Sequence, residues 1–204
     1  MRTLLVAVAL IVPAQDDPQD TGFATTKEAM QNVQLIVGEW KCFAEPEDPK
    51  REAWTEKADW NFKIQKDVYT LVLTASDGRL YKNGELSYDI KAKRYLLTLT
   101  RPDDSSARYR GTVRNRELTL EEIPTADPKA VEQERIVFHL LRANRYLMTV
   151  DRRKVGARSW DRAFTFGCTK KGVPFVRGEA PKCVITGGAG TIAVEYQDKT
   201  YYVC

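Results

Sequence analysis

Between Gly38 and Gly167 the chain reads as one short strand-like run after another: GEWKCFA, KADWNFKI, VYTLVLTA, ELSYDIK, RYLLTLT, SARYRGTV, RELTLEE, ERIVFHLL, NRYLMTVD and ARSWDRAFTFG. Each run is rich in β-branched and aromatic residues, and turn signals separate them: Ser76-Asp77-Gly78, Lys82-Asn83-Gly84, Arg101-Pro102-Asp103-Asp104 and Arg114-Asn115. Short strands at roughly 8–12-residue spacing, with no long helix between them, predict an antiparallel sandwich or barrel. EEIPTADPKAVEQE is the one long connection, expected to be an exposed loop with a little helix.

Strand alternation assigns faces, because successive side chains point to opposite sides. Trp40, Cys42 and Ala44 share one face of the first run; Tyr69, Leu71 and Leu73 share one face of another. Ile136, Phe138 and Leu140 do the same later, and Trp160, Arg162, Phe164, Phe166 and Cys168 line up in the last. About ten strands with one apolar face each would leave two adhesive edges if the sheet stayed open. Closing it removes them, so the expected fold is all-β, a closed antiparallel barrel.

The N-terminus carries other signals. MRTLLVAVALIVPAQ has Arg2, an apolar run from Leu4 to Val12, and small residues before Gln15, the layout of a secretory signal peptide over residues 1–14. The run is too short to span a bilayer as a helix, which needs about 20 residues. Export to a periplasmic or extracellular compartment is therefore expected. Residues 15–24 read as a linker, and TTKEAMQNVQLIV then predicts a short helix: Thr25 and Glu28 form a capping box, with Met30, Val33 and Val37 on one stripe.

A short helix, then Gly38-Glu39-Trp40 opening the first strand, then an antiparallel meander, resembles the lipocalin-like (calycin) barrels. The resemblance covers about residues 25–176. It implies a G-x-W tryptophan covered by a basic side chain from the last strand, either Arg162 or Lys170. It also implies an interior lined by Trp40, Tyr69, Leu71, Phe138, Phe164 and Phe166 that holds a small apolar or amphipathic ligand. Each of the six reads more readily as plain core than as ligand contact, since small barrels can fill themselves with side chains. Closure brings the first and last strands together, which places inward-facing Cys42 and Cys168 within reach of a disulfide. Four cysteines alone allow three full pairings, and an oxidising compartment favours bridges.

Few residues suggest catalysis. His139 is the only histidine, and it sits in the apolar run IVFHLL. It reads as a strand histidine satisfied by a neighbour, and it lies too early to resemble the haem ligand of some lipocalin-like barrels. Asp103-Asp104 and Glu121-Glu122 are sequence neighbours that point apart, expected in solvated turns. ITGGAG lacks the helix that a phosphate loop requires. No enzyme signature survives, and a lipocalin-like catalyst stays a minor alternative. With 32 basic and 28 acidic residues scattered along the chain, no basic block recommends nucleic acid as partner.

The tail, PKCVITGGAGTIAVEYQDKTYYVC, predicts two strands joined by Gln197-Asp198. Cys183-Val-Ile-Thr-Gly, Val194-Glu-Tyr196-Gln-Asp-Lys199 and Tyr201-Tyr202-Val203-Cys204 resemble the front half of a YHS/TRASH-type metal-binding module, over residues 177–204. That family continues with further cysteines beyond the position of Cys204. Cys183 and Cys204 are the implied metal ligands, and two thiolates leave half of a tetrahedral zinc shell unfilled. Three explanations stay open: a truncated sequence, expected first; a site completed by a second chain; or a degenerate module whose cysteines pair. In the 204-residue form no tightly held cofactor is expected, and zinc or another thiophilic metal belongs to a complete module. The leading expectation is an exported, non-enzymatic binding protein; a metal-trafficking or metal-sensing role acting through the tail is the rival.

Overall fold

The structure, a computed structural model, describes residues 22–124 and 132–173, together with the backbone of 192–196 and 199–203. The signal-peptide segment, most of the 15–24 linker, the centre of the EEIPTADPKAVEQE connection, the Gln197-Asp198 turn and both candidate metal ligands, Cys183 and Cys204, lie outside the described residues.

Ten strands form one closed antiparallel barrel in simple up-and-down order. They are β1 (Gly38–Pro46), β2 (Trp54–Gln65), β3 (Val68–Ser76), β4 (Asn83–Asp89), β5 (Arg94–Thr100), β6 (Ser106–Arg114), β7 (Glu117–Glu122), β8 (Glu132–Arg142), β9 (Arg145–Lys154) and β10 (Asp161–Lys170). The barrel closes through β1 and β10, where Trp40 pairs with Lys170 and Cys42 with Cys168. This architecture is compatible with a lipocalin-like fold. Two further strands, β11 (Ile192–Tyr196) and β12 (Lys199–Val203), pair antiparallel with each other, with Ile192 opposite Val203. Among the described residues no helix is long and apolar enough to cross a membrane.

The alternation seen in the sequence sets the core. Trp40, Cys42 and Ala44 of β1, Leu71 of β3, Leu86 of β4, Tyr109 of β6 and Ile136, Phe138 and Leu140 of β8 are all buried inside. Cys42 and Cys168 are bonded, with Cα atoms 4.1 Å apart, the close spacing of residues directly opposite across a ladder. Two hairpins turn in two residues, each at positive φ: Lys66-Asp67 between β2 and β3, and Asn115-Arg116 between β6 and β7. That is the primed turn whose twist suits adjacent strands.

One end of the barrel is plugged. The helix α1 (Thr26–Asn32) starts at the Thr25–Glu28 capping box, and Ala29, Met30, Val33 and Ile36 are fully buried against the strand ends. Polar groups fix it in place: Tyr95 Oη donates to the Ala29 carbonyl at 2.7 Å, and Trp40 Nε1 donates to the Ile36 carbonyl at 2.7 Å. Lys170 Nζ lies 5.5 Å from the centre of the Trp40 ring, so Lys170 is the covering base.

Arg162 does not share that inward face. A bulge between Arg162 and Phe164 inserts one residue into β10, which reverses the parity ahead of it and sends Arg162 outward to Asp151. Trp160 precedes β10 and stacks outside, with the guanidinium carbons of Arg153 and Arg135 at 4.1 and 4.8 Å from its ring centre.

Candidate functional site

Among the described residues no helix covers the end opposite α1, and the polar residues of the barrel interior gather there. They come from strand ends that continue the inward parity. On β2, Trp54, Glu56, Ala58 and Trp60 alternate with exposed or half-buried neighbours; on β8, Glu134 precedes Ile136, Phe138 and Leu140. Near the rim a carboxylate can face inward, because the interior ends there and donors from neighbouring strands reach it.

Glu134 is buried and receives four donors. Its Oε1 accepts from Tyr109 Oη at 2.6 Å and from Tyr81 Oη. Its Oε2 accepts from Arg152 Nε and Nη2 at 3.2 and 3.1 Å. The backbone N–H of Glu134 in turn donates to Glu122 Oε2 at 2.9 Å, and Arg101 stands 3.9 Å from Glu122 Oε1. Glu122 is therefore no solvated turn residue. It closes β7 and ties that strand to β8, because position 122 still belongs to the strand run RELTLEE and continues the inward parity of Leu118 and Leu120. Asp103 and Asp104, in contrast, are exposed in the β5–β6 turn as expected.

Burial governs the electrostatics. Desolvation raises the Glu122 carboxyl above its ordinary value of 4.5, while the Glu134 N–H and Arg101 oppose the rise. Glu56 is raised by desolvation as well, against the pull of Trp54 Nε1, 2.7 Å from its Oε2, and of the Arg79 backbone. Tyr81 and Tyr109 are pushed up by burial and by the Glu134 charge, so both stay neutral donors at physiological pH.

Aromatic faces complete the rim. Trp54 packs edge-on against Phe164 and Phe166, with ring centres 5.8 and 5.7 Å away. Arginines cover these rings from outside: Arg79 lies 5.4 Å from the Trp54 centre, and Arg152 and Arg51 lie 5.5 and 5.9 Å from that of Phe164. A depression of about 170 Å³ opens beside them, lined by Arg101, Glu122, Glu132, Gln133, Glu134 and Arg152.

Of the six lining residues expected from sequence, Trp40, Leu71, Phe138, Phe164 and Phe166 are buried and Tyr69 is partly so. They do not surround one common space. The enclosed interior cavity measures about 20 Å³, room for about one water, and of the six only Phe138 and Phe166 touch it. Trp40 and Leu71 belong with the helix-plugged half, whereas Phe164 stands at the open rim. His139 faces outward and pairs with Glu117, its register partner on β7, at 3.1 Å. The neighbour expected to satisfy it is this one. Among the described residues no three His, Cys, Asp or Glu side chains come together to hold a metal ion.

The rim cluster was missed in the sequence because each member was read singly. The available signal was parity: Glu56 and Glu134 occupy inward positions in otherwise apolar alternations, and a charge there requires partners. No protein-family model matches the chain, and no curated protein matches it.

Proposed function

We propose that this is an exported, non-enzymatic binding protein that holds a small amphipathic ligand at the open end of its barrel. The observation that carries the reading is the contrast between the two halves of the interior. Space for about one water remains inside, while the rim presents a polar depression of about 170 Å³ and, beside it, the Phe164 and Trp54 rings under Arg51 and Arg79. The ligand's apolar part displaces Arg51 and Arg79 from the Phe164 and Trp54 rings. Its polar part meets Arg101 and Glu122, the least encumbered charged pair of the rim. Glu134 acts as a fixed post, since four donors already occupy its two oxygens, and this disfavours it as a general base.

Export rests on the charged, apolar and small-residue layout of residues 1–14, and the Cys42–Cys168 bond suits an oxidising compartment. The mature chain should begin near Gln15. N-terminal sequencing of exported protein that found Leu4 retained would remove that part of the reading.

Titrating amphipathic ligands while recording tryptophan fluorescence tests the binding site. The response should vanish in Trp54→Phe, and affinity should fall about tenfold in Arg101→Ala. A ligand that is insensitive to both, yet lost when Ala58→Leu fills the interior cavity, would place binding inside the barrel instead.

The tail supports a second reading. β11 and β12 pair, as the two strand runs around Gln197-Asp198 predict, and the resemblance of the tail to a YHS/TRASH-type module is what would give Cys183 and Cys204 a thiol-based metal role. Two thiolates need two further ligands for tight zinc binding. Elemental analysis of the 204-residue protein and of a form extended with a Cys-x-x-Cys step distinguishes the cases. Metal in neither form would leave the tail without this role.

A further inference from the structure

In an up-and-down barrel alternate turns share an end, so sequence decides what each end displays. At the helix-plugged end the turn segments 61–68, 89–94, 113–117 and 141–145 carry nine basic and three acidic residues. At the open end, segments 46–54, 76–83, 100–106, 121–124, 132–134 and 151–161 carry nine basic and twelve acidic residues. A net charge of +4 thus conceals a strongly basic plugged end and a mildly acidic rim.

Large apolar side chains emerge at the same basic end. Phe62 is 43% exposed, Ile64 56% and Val68 48%, and Ile90 and Leu141 project from two neighbouring turns. The cause for the first pair is a length mismatch. The β1–β2 ladder ends at Gly38 opposite Trp60, so β2 runs on past its neighbour, and Phe62 and Ile64, still at inward parity, have no β1 side chain above them. Bases alternate with these tips, as in Phe62-Lys63-Ile64 and Ile90-Lys91-Ala92-Lys93, all of them exposed. The chain also enters the fold here, where the Phe23 N–H donates to Tyr88 Oη at 3.0 Å and Gly22 lies against Lys93.

We propose that the plugged end docks on an anionic lipid membrane, with Phe62, Ile64, Ile90 and Leu141 entering the headgroup region and the surrounding lysines and arginines meeting lipid phosphates. Charge complementarity selects an anionic surface, and apolar tips on separate turns at one end suit a plane that admits them at several points. A nucleic acid would use the same bases and can stack on Phe62, but offers nothing to the aliphatic tips Ile64, Ile90 and Leu141, since base recognition calls for stacking or edge contacts. The docked barrel presents its opposite, ligand-binding end to solution.

Sedimentation with vesicles tests this, using phosphatidylcholine alone and phosphatidylcholine mixed with phosphatidylglycerol. The protein should pellet with the anionic vesicles only, and less so as salt is raised. Lys91→Glu combined with Lys93→Glu should weaken binding about tenfold or more, and Phe62→Ser combined with Ile64→Ser should weaken it comparably. Lys50→Glu combined with Arg158→Glu, at the open end, should leave it unchanged. Thermal melting of each variant shows whether it is folded, and the charge and apolar pairs serve as independent probes. No pelleting with anionic vesicles overturns the proposal. So does equal loss in the open-end variant, which would indicate a general charge effect. Pelleting that none of the three variants alters would place the contact elsewhere, the apolar run from Leu4 to Val12 included. Binding to a single-stranded oligonucleotide that Phe62→Ser with Ile64→Ser leaves intact, without vesicle binding, would assign the end to nucleic acid.

Discussion

Glu134 and Arg152 are register partners across the β8–β9 ladder, and Arg152 sets two nitrogens within 3.2 Å of one Glu134 oxygen. Removing the arginine leaves a buried carboxylate with only its two tyrosine donors. Arg152 is itself 37% exposed, which screens the pair and lowers the cost from that of a deeply buried bridge. Arg152→Ala should destabilise the protein by about 1–3 kcal/mol in denaturant titrations. Glu134→Gln with Arg152→Ala should cost less than the sum of the singles. Strict additivity would mean the two do not interact.

The Cys42–Cys168 bond closes a loop with a sequence separation of 126. Chain-entropy arguments give about 4–5 kcal/mol for a loop of that size. Reduction, or Cys42→Ala with Cys168→Ala, should lower the melting temperature by several degrees or more. An unchanged melting temperature under reducing conditions would show that the seam holds without its staple.

Glu56 gives a pH dependence of defined sign. Its folded value is raised above 4.5 by burial, so between 4.5 and the raised value the folded protein binds more protons than the unfolded chain. Stability from this group is therefore fully present below 4.5 and falls as pH rises through the window. Glu56→Gln removes the charge and keeps an acceptor for Trp54 Nε1. Relative to the wild type, the variant should gain stability as pH climbs from 4.5 towards neutrality. Parallel stability curves across that range would contradict the assignment, with Glu122 as the other raised carboxyl to examine.

Gly111 of β6 stands opposite Leu120 of β7 with no room for a side chain. A Cβ there would lie 1.7 Å from the Thr119 carbonyl oxygen, a backbone atom held in the ladder. Gly111→Ala should thus cost about 3 kcal/mol or more, because the strands must part. A midpoint within error of wild type would show that the β6–β7 register differs from the one described.

Much of the fold was legible because period-two alternation reports directly on which face is buried. Trp40, Cys42 and Ala44, or Ile136, Phe138 and Leu140, needed no further information. Parity cannot anticipate an inserted residue, which is why Arg162 was placed inside until the β10 bulge moved it out. Nor does it weigh position along a strand. Glu56 and Glu134 share the inward parity of their apolar neighbours, and only their place at the rim makes that affordable. The helix-end apolar tips depend on β1 being shorter than β2, a difference that appears only when both strands are paired.

The seam between β1 and β10 also constrains the order of assembly. Eight of the nine other ladders join strands adjacent in sequence across short or moderate connections, and can form as the chain emerges; so can the ninth, across the long β7–β8 connection. The seam alone must join the first strand to the last, with Trp40 opposite Lys170. Until then β1 is an exposed edge with an unpaired thiol, the state in which a barrel chain is most open to wrong partners. Long-range pairing of this kind is slow because loop closure precedes the contacts that reward it. Formation of the Cys42–Cys168 disulfide, by exchange with an external disulfide that takes up the two electrons, consequently marks the last step of closure, and its appearance in a folding reaction times the moment the barrel becomes whole.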